Sequence, residues 1–133
     1  FQACKSYYQK YPSTKLVKLF TNPVDIKSFI SGMDIFIGAR MHATIAAFTS
    51  GVVTIPTAYS RKFETMFSIV NYNVVVDLQV CDTETALTNT VAYIENYREL
   101  KKQMSESLEI AQKFKEKTKI FFSEAILKLG GES

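Results

Sequence analysis

Short apolar runs alternate along the chain with stretches in which apolar residues recur every three or four positions, and each change of period marks an element. Residues 1–9 read as the tail of a helix, and Pro12 with Ser13 marks a turn. LVKLF at 16–20 is short and apolar around one lysine, which predicts a strand. Asn22 then precedes Pro23, and a proline just inside a helix start is pre-organised and forfeits no needed hydrogen bond. VDIKSFISGM is therefore predicted to be a helix capped near Asn22 and stopped at Gly32. DIFIG at 34–38 has the continuous, isoleucine-rich character of a strand covered on both faces. Small residues followed by Gly51 predict a buried helix over 40–50, and VVTIP at 52–56 is the next strand. Phe63, Met66, Phe67 and Val70 keep helical spacing within 59–70, and NVVVDL at 73–78 is the fourth strand.

Residues 83–129 contain neither proline nor glycine. Leu87, Val91 and Ile94, then Leu100, Met104, Leu108, Ala111, Phe114, Phe121, Ala125 and Leu129, keep helical phase, which predicts two helices with a bend near 96–98 and a frayed GGES tail. This stripe exceeds what one small sheet face covers, so the segment is expected to dock across the domain and to reach toward the remainder of a longer parent protein, leaving on this domain alone an exposed apolar patch with a tendency to self-associate. Strands alternating with helices of about ten residues imply right-handed crossovers, hence an α/β domain spanning 1–133 with a parallel sheet and helices on both faces. In such sheets ligands gather outside the carboxyl ends of the strands. That directs attention to the loops at 21–23, 38–42, 56–62 and 78–82.

The chain of 133 residues carries 16 Lys and Arg against 13 Asp and Glu, a net charge of +3, too small a surplus to imply a nucleic-acid partner. Its longest uncharged apolar stretch is broken by Gly51 and Pro56, which argues against a transmembrane segment and for a soluble domain. Cys4 and Cys81 stand far apart without a CxxC pair, so no metal site or disulfide framework is expected, and a cytoplasmic, reducing location fits. The chain starts at Phe1 without a signal-like segment, which predicts a piece of a longer protein.

The turn after the second strand, Gly38 to His42, sets a glycine, a guanidinium and the chain's single imidazole at a helix start, where free amide groups and the helix dipole favour an anion. Arg40 brings a planar fork suited to carboxylate or phosphate, and His42 a group able to donate or accept a proton. The alternative is that Arg40 pairs with a surface acid and His42 caps a helix. The turn after the third strand holds Tyr59, Ser60, Arg61 and Lys62. Because one short helix joins the two strands, both turns are expected at one edge, with Arg40, His42, Tyr59, Ser60 and Lys62 around one crevice. Arg61 and Lys62 could equally be solvated helix-surface charges. Asp77 reads as a turn former or helix cap, and Tyr7, Tyr8 and Tyr11 either stack on a sugar or base or cover the domain edge.

DIFIGARMHATIAAFTSGVVTIPTAYSRKFETMF, residues 34–67, resembles the signature block of the polysaccharide pyruvyl transferase family: an Asp-led strand ending in Gly, an Arg-x-His, a small-residue helix, a Gly-Val strand ending in Pro, and a Tyr followed by Lys. The resemblance implies a Rossmann-like domain forming the C-terminal lobe of a GT-B-like fold, with the N-terminal lobe missing from this chain. It implies an enzyme that moves the enolpyruvyl carbons of phosphoenolpyruvate onto hydroxyls of a glycan or lipid-linked sugar as a pyruvate ketal, in cell-envelope or exopolysaccharide synthesis. Peripheral association with the inner face of the membrane is an option. By the same resemblance His42 is catalytic, and Arg40 and Lys62, with Gly38, Tyr59 and Ser60, hold the donor; no cofactor and no metal is implied. This chain alone is expected to be inactive. The competing readings are a nucleotide-sugar glycosyltransferase lobe and a non-enzymatic doubly wound interaction module. The latter calls for acidic residues at the strand ends, where this chain has Arg40, His42 and Lys62.

Overall fold

The computed structural model describes the backbone of residues 2–130 and the side chains of residues 2–124. Helix α1 (Gln2–Lys10) and a turn at Pro12 and Ser13 lead to α2 (Pro23–Ser31). Strand β1 (Ile35–Gly38), helix α3 (Met41–Thr49), strand β2 (Val53–Ala58), helix α4 (Lys62–Ser68) and strand β3 (Val76–Asp77) follow. Two helices, α5 (Thr83–Glu95) and α6 (Tyr97–Gly130), close the chain and meet at Asn96, within the expected bend. The sheet has order β1-β2-β3 and is parallel throughout, so the fold is mixed α/β with a small parallel sheet.

The start of α2 forms as its residues dictate. The Asn22 side chain accepts the Val24 N–H at 2.9 Å, Pro23 opens the helix where no donor is needed, and Gly32 closes it. Helix α3 is followed, after Ser50, by Gly51, whose φ of 79° lies in the left-handed region that glycine enters without a Cβ clash. Beyond it, β2 is buried on both faces. Alternation along the strands divides the core. Ile35, Val53 and Ile55 belong to a large cluster with Phe48, Phe67, Tyr72, Leu100 and Met104, whereas Phe36 and Val52 join Ile30 and Ala47 beneath α2 and α3. The Tyr72 hydroxyl donates to the Thr54 carbonyl deep inside, and burial pushes its ionisation well above the usual phenol range.

The structure corrects the strand count from four to three. Residues 16–20 run as exposed, unpaired chain, with only Leu16 half-buried. Lys15 precedes the run and Lys18 interrupts it, and the Phe20 ring packs on Phe29 of α2, with centroids 5.3 Å apart, instead of facing the sheet edge. The expected strand at 73–78 shrinks to β3. Pro56 has no N–H to donate, so β2 pairs with β1 up to Pro56 and with β3 only from Thr57 onward. Helix α4 is shorter than 59–70, because Tyr59, Ser60 and Arg61 form the turn before it. The inward row of α5 is also shifted by one residue. Ala86 is buried and Thr90 and Tyr93 are half-buried, while Leu87, Val91 and Ile94 are exposed. Of the C-terminal row, Leu100 and Met104 are buried and Leu108 and Ala111 half-buried, whereas Phe114 and Phe121 lie in solvent. Ala125, Leu129 and the tail at 131–133 lie outside the residues described at side-chain level.

Candidate functional site

Gly38 ends β1, and two residues later α3 begins. A Cβ on Gly38 would come within 2.6 Å of the Phe36 ring, so any larger residue there requires that half-buried ring to shift. Thr44 ties this turn down from beneath. Fully buried, its hydroxyl donates to the Arg40 carbonyl at 2.9 Å and lies 3.4 Å from the Gly38 carbonyl, while its backbone N–H donates to Arg40 at 2.9 Å. Arg40 is the N-cap residue of α3 with extended backbone (φ −86°, ψ 118°) and makes no side-chain capping bond. The amide donors of the first turn therefore face outward without a side-chain partner, and that turn carries no acidic residue.

The exposed side chains of Arg40 and His42 line an open groove of about 610 Å³ between α2 and α3. Pro23, Ile26, Met41 and Ala46 give it apolar walls, and Lys27 supplies a second cationic side chain beside Arg40. Among the described residues, neither Arg40 nor His42 has a side-chain ion pair or hydrogen bond, so the alternative in which Arg40 pairs with an acid and His42 caps a helix is not what forms. Sequence reasoning missed Lys27. Its only signal was its place one turn into α2, just past the marked loop at 21–23.

Tyr59, Ser60 and Lys62 are exposed on the neighbouring turn but do not line this groove. Register explains the separation. Gly38 pairs with Pro56, and β2 runs on to Ala58, so the second turn begins two residues further out, about 7 Å along the strand. The structure thus brings Arg40 and His42 together with Lys27, and leaves Tyr59, Ser60 and Lys62 at the same sheet edge but outside the shared groove. Asp77 is a turn former, accepting the Gln79 N–H at 2.8 Å. Tyr7 of α1 and Tyr11 just beyond it stack 6.1 Å apart, exposed to solvent, and do not cover a domain edge. Among the described residues, no group of three or more His, Cys, Asp or Glu side chains could hold a metal ion, and no helix is long and apolar enough to cross a membrane.

A parallel α/β sheet with an anion-suited cationic turn at its carboxyl edge defines the general class. The family match is narrower: residues 3–61 match the family model described as polysaccharide pyruvyl transferase, the family that the 34–67 block resembles. The matched segment contains the Gly38–His42 turn, Tyr59 and Ser60, and ends one residue before Lys62. Neither the comparison with curated proteins nor that with solved structures gives a match.

Proposed function

We propose that this chain is the donor-binding, C-terminal lobe of a two-lobed, GT-B-like pyruvyl transferase that uses phosphoenolpyruvate and a glycan or lipid-linked sugar acceptor. The observation that carries this reading is the pairing of Arg40 and His42, both inside the family match and both unengaged, in a groove at the mouth of a parallel sheet. Phosphoenolpyruvate is a compact polyanion, and such a ligand calls for several fixed cationic contacts. In this reading the Arg40 fork takes the carboxylate, the first-turn amides of α3 and a lysine ammonium take the phosphate, and His42 moves the proton. The lysine is Lys62 by resemblance, with Lys27 already on the groove wall. Two sugar hydroxyls bond to C2 of the donor, its C2–O bond to phosphate breaks, one hydroxyl proton goes to C3, and the other leaves with phosphate. The N-terminal lobe supplies the acceptor side, and the enzyme works in the cytoplasm at the inner face of the membrane.

The test is ketal formation by the full-length protein, read from the new methyl signal in the NMR spectrum of the acceptor. His42→Gln should retain donor binding and lower turnover by roughly 100-fold, as expected for a lost general acid. Wild-type turnover in that variant removes histidine from the mechanism. Failure with phosphoenolpyruvate but transfer from a nucleotide sugar replaces the reading with the glycosyltransferase alternative.

A further inference from the structure

Helix α6 changes character along its length. Leu100, Met104 and Ser107 are buried against the domain and Ala111 is half-buried, following one another at helical spacing. The same row continues as Phe114, Thr118 and Phe121, with Phe122 beside it, yet these phenylalanines are 53%, 67% and 59% exposed. Every described side chain from residue 112 onward is exposed. The helical turn sets Lys113 and Lys117 on one flank of this row and Lys115 and Lys119 on the other. Only Glu116 and Glu124 stand against these four lysines over 113–124, and Glu116 is paired with Lys119 at 3.1 Å.

We propose that this half of α6 is a docking surface for an anionic lipid membrane, lying along it with the three phenylalanines in the headgroup boundary and the lysines against anionic headgroups. Charge decides the occupant. Two copies meeting through this row would bring their lysine flanks together, and that repulsion opposes the self-association that the stripe alone suggests. An anionic surface meets the lysines favourably, and long lysine stems can lie along apolar surface while their ammonium groups reach outward. Because no described helix is suited to crossing a membrane, the helix lies on the surface instead of spanning it. The inference does not rest on the transferase reading, and its test has no enzymatic readout.

The experiment is sedimentation of the whole chain with vesicles of phosphatidylcholine alone or with about one-third phosphatidylglycerol. The chain should bind the anionic vesicles, leave the neutral ones, and be released at about 0.5 M salt. Each lysine is expected to contribute about fivefold, so Lys113→Gln, Lys115→Gln and Lys117→Gln together should weaken binding about 100-fold. Phe114→Ser with Phe121→Ser should abolish binding while circular dichroism shows the helix content retained. Equal binding to neutral vesicles, wild-type binding by the lysine variant, or no binding to anionic vesicles overturns the proposal. So does a dimer in sedimentation velocity that both phenylalanine changes dissolve, or a full-length protein in which the N-terminal lobe shields Phe114 and Phe121 from solvent labelling.

Discussion

Thr44 joins the core to the cationic turn through one buried hydroxyl, which satisfies the Arg40 carbonyl and approaches that of Gly38. Replacing it with valine keeps the volume and removes the donor. Thr44→Val should therefore lower stability by about 1 kcal/mol in urea unfolding and weaken phosphoenolpyruvate binding measured by calorimetry. Unchanged binding would show that the turn holds its shape without this tether. Arg40 and His42 were legible because a guanidinium and the single imidazole stand where a strand meets a helix. Thr44 was not, since among Ala43, Ile45, Ala46 and Ala47 it reads as one more small core residue. Lys27 was hidden for a different reason: its partners in the groove come from another helix, and side-chain spacing within α2 does not reveal them. If the groove holds the donor, Lys27→Ala should raise its Kd by roughly 10- to 100-fold, the range for one charge-assisted contact, and Arg40→Lys should fail similarly because an ammonium lacks the bidentate fork. Lys62→Ala tests the lysine of the neighbouring turn in the same titration. A larger effect there than at Lys27 would move the phosphate out of the groove.

At the scale of elements, caps were read well and helix faces less so. Asn22, Pro23 and Gly32 bound α2 as the chemistry of helix ends requires, and Gly51 closes α3 with positive φ. The face of α5 was misread because Ala86, Thr90 and Tyr93 form a row one residue from the more apolar Leu87, Val91 and Ile94. A small residue lets α5 come close to β3, and periodicity alone favours the greasier row. The start of the same helix gives a pH dependence. Asp82 accepts the Thr85 N–H at 2.8 Å, and this bond, with one from the Thr85 side chain, holds its carboxyl below the usual carboxylate range. Since folding lowers this ionisation, the carboxylate adds stability above the ordinary carboxylate range, and the gain disappears as pH falls through the lowered folded value. The Tm of the chain should therefore decline on acidification below about pH 4, and Asp82→Asn, which keeps an acceptor oxygen, should flatten part of that decline. Parallel Tm curves for the two proteins would assign the acid sensitivity to other carboxylates.

Across the whole molecule, the alternation of strands and helices was visible in the sequence, and so was the shared carboxyl edge of β1 and β2. The extent of pairing was not, because a strand needs a partner edge as well as a pattern. Residues 16–20 have the pattern without the partner, and residues 73–75 approach β2 where Pro56 has no N–H to donate. The stripe of α6 poses the same problem over a greater distance: one continuous apolar row is core at Leu100 and Met104 and exposed at Phe114 and Phe121. Stability should divide accordingly. Met104, 2% exposed, sits among the residues that pack β2 against α6, so Met104→Ala leaves a cavity and should cost about 2–5 kcal/mol. Phe121 contacts Phe122 edge-on but stands two-thirds exposed on a segment with no buried side chain, so Phe121→Ala should change stability by less than about 0.5 kcal/mol. Urea unfolding of both variants, followed by circular dichroism, measures the contrast directly. A large loss at Phe121 would mean that the outer half of α6 folds back onto the domain in solution, and a small loss at Met104 would mean that the first half does not hold the sheet.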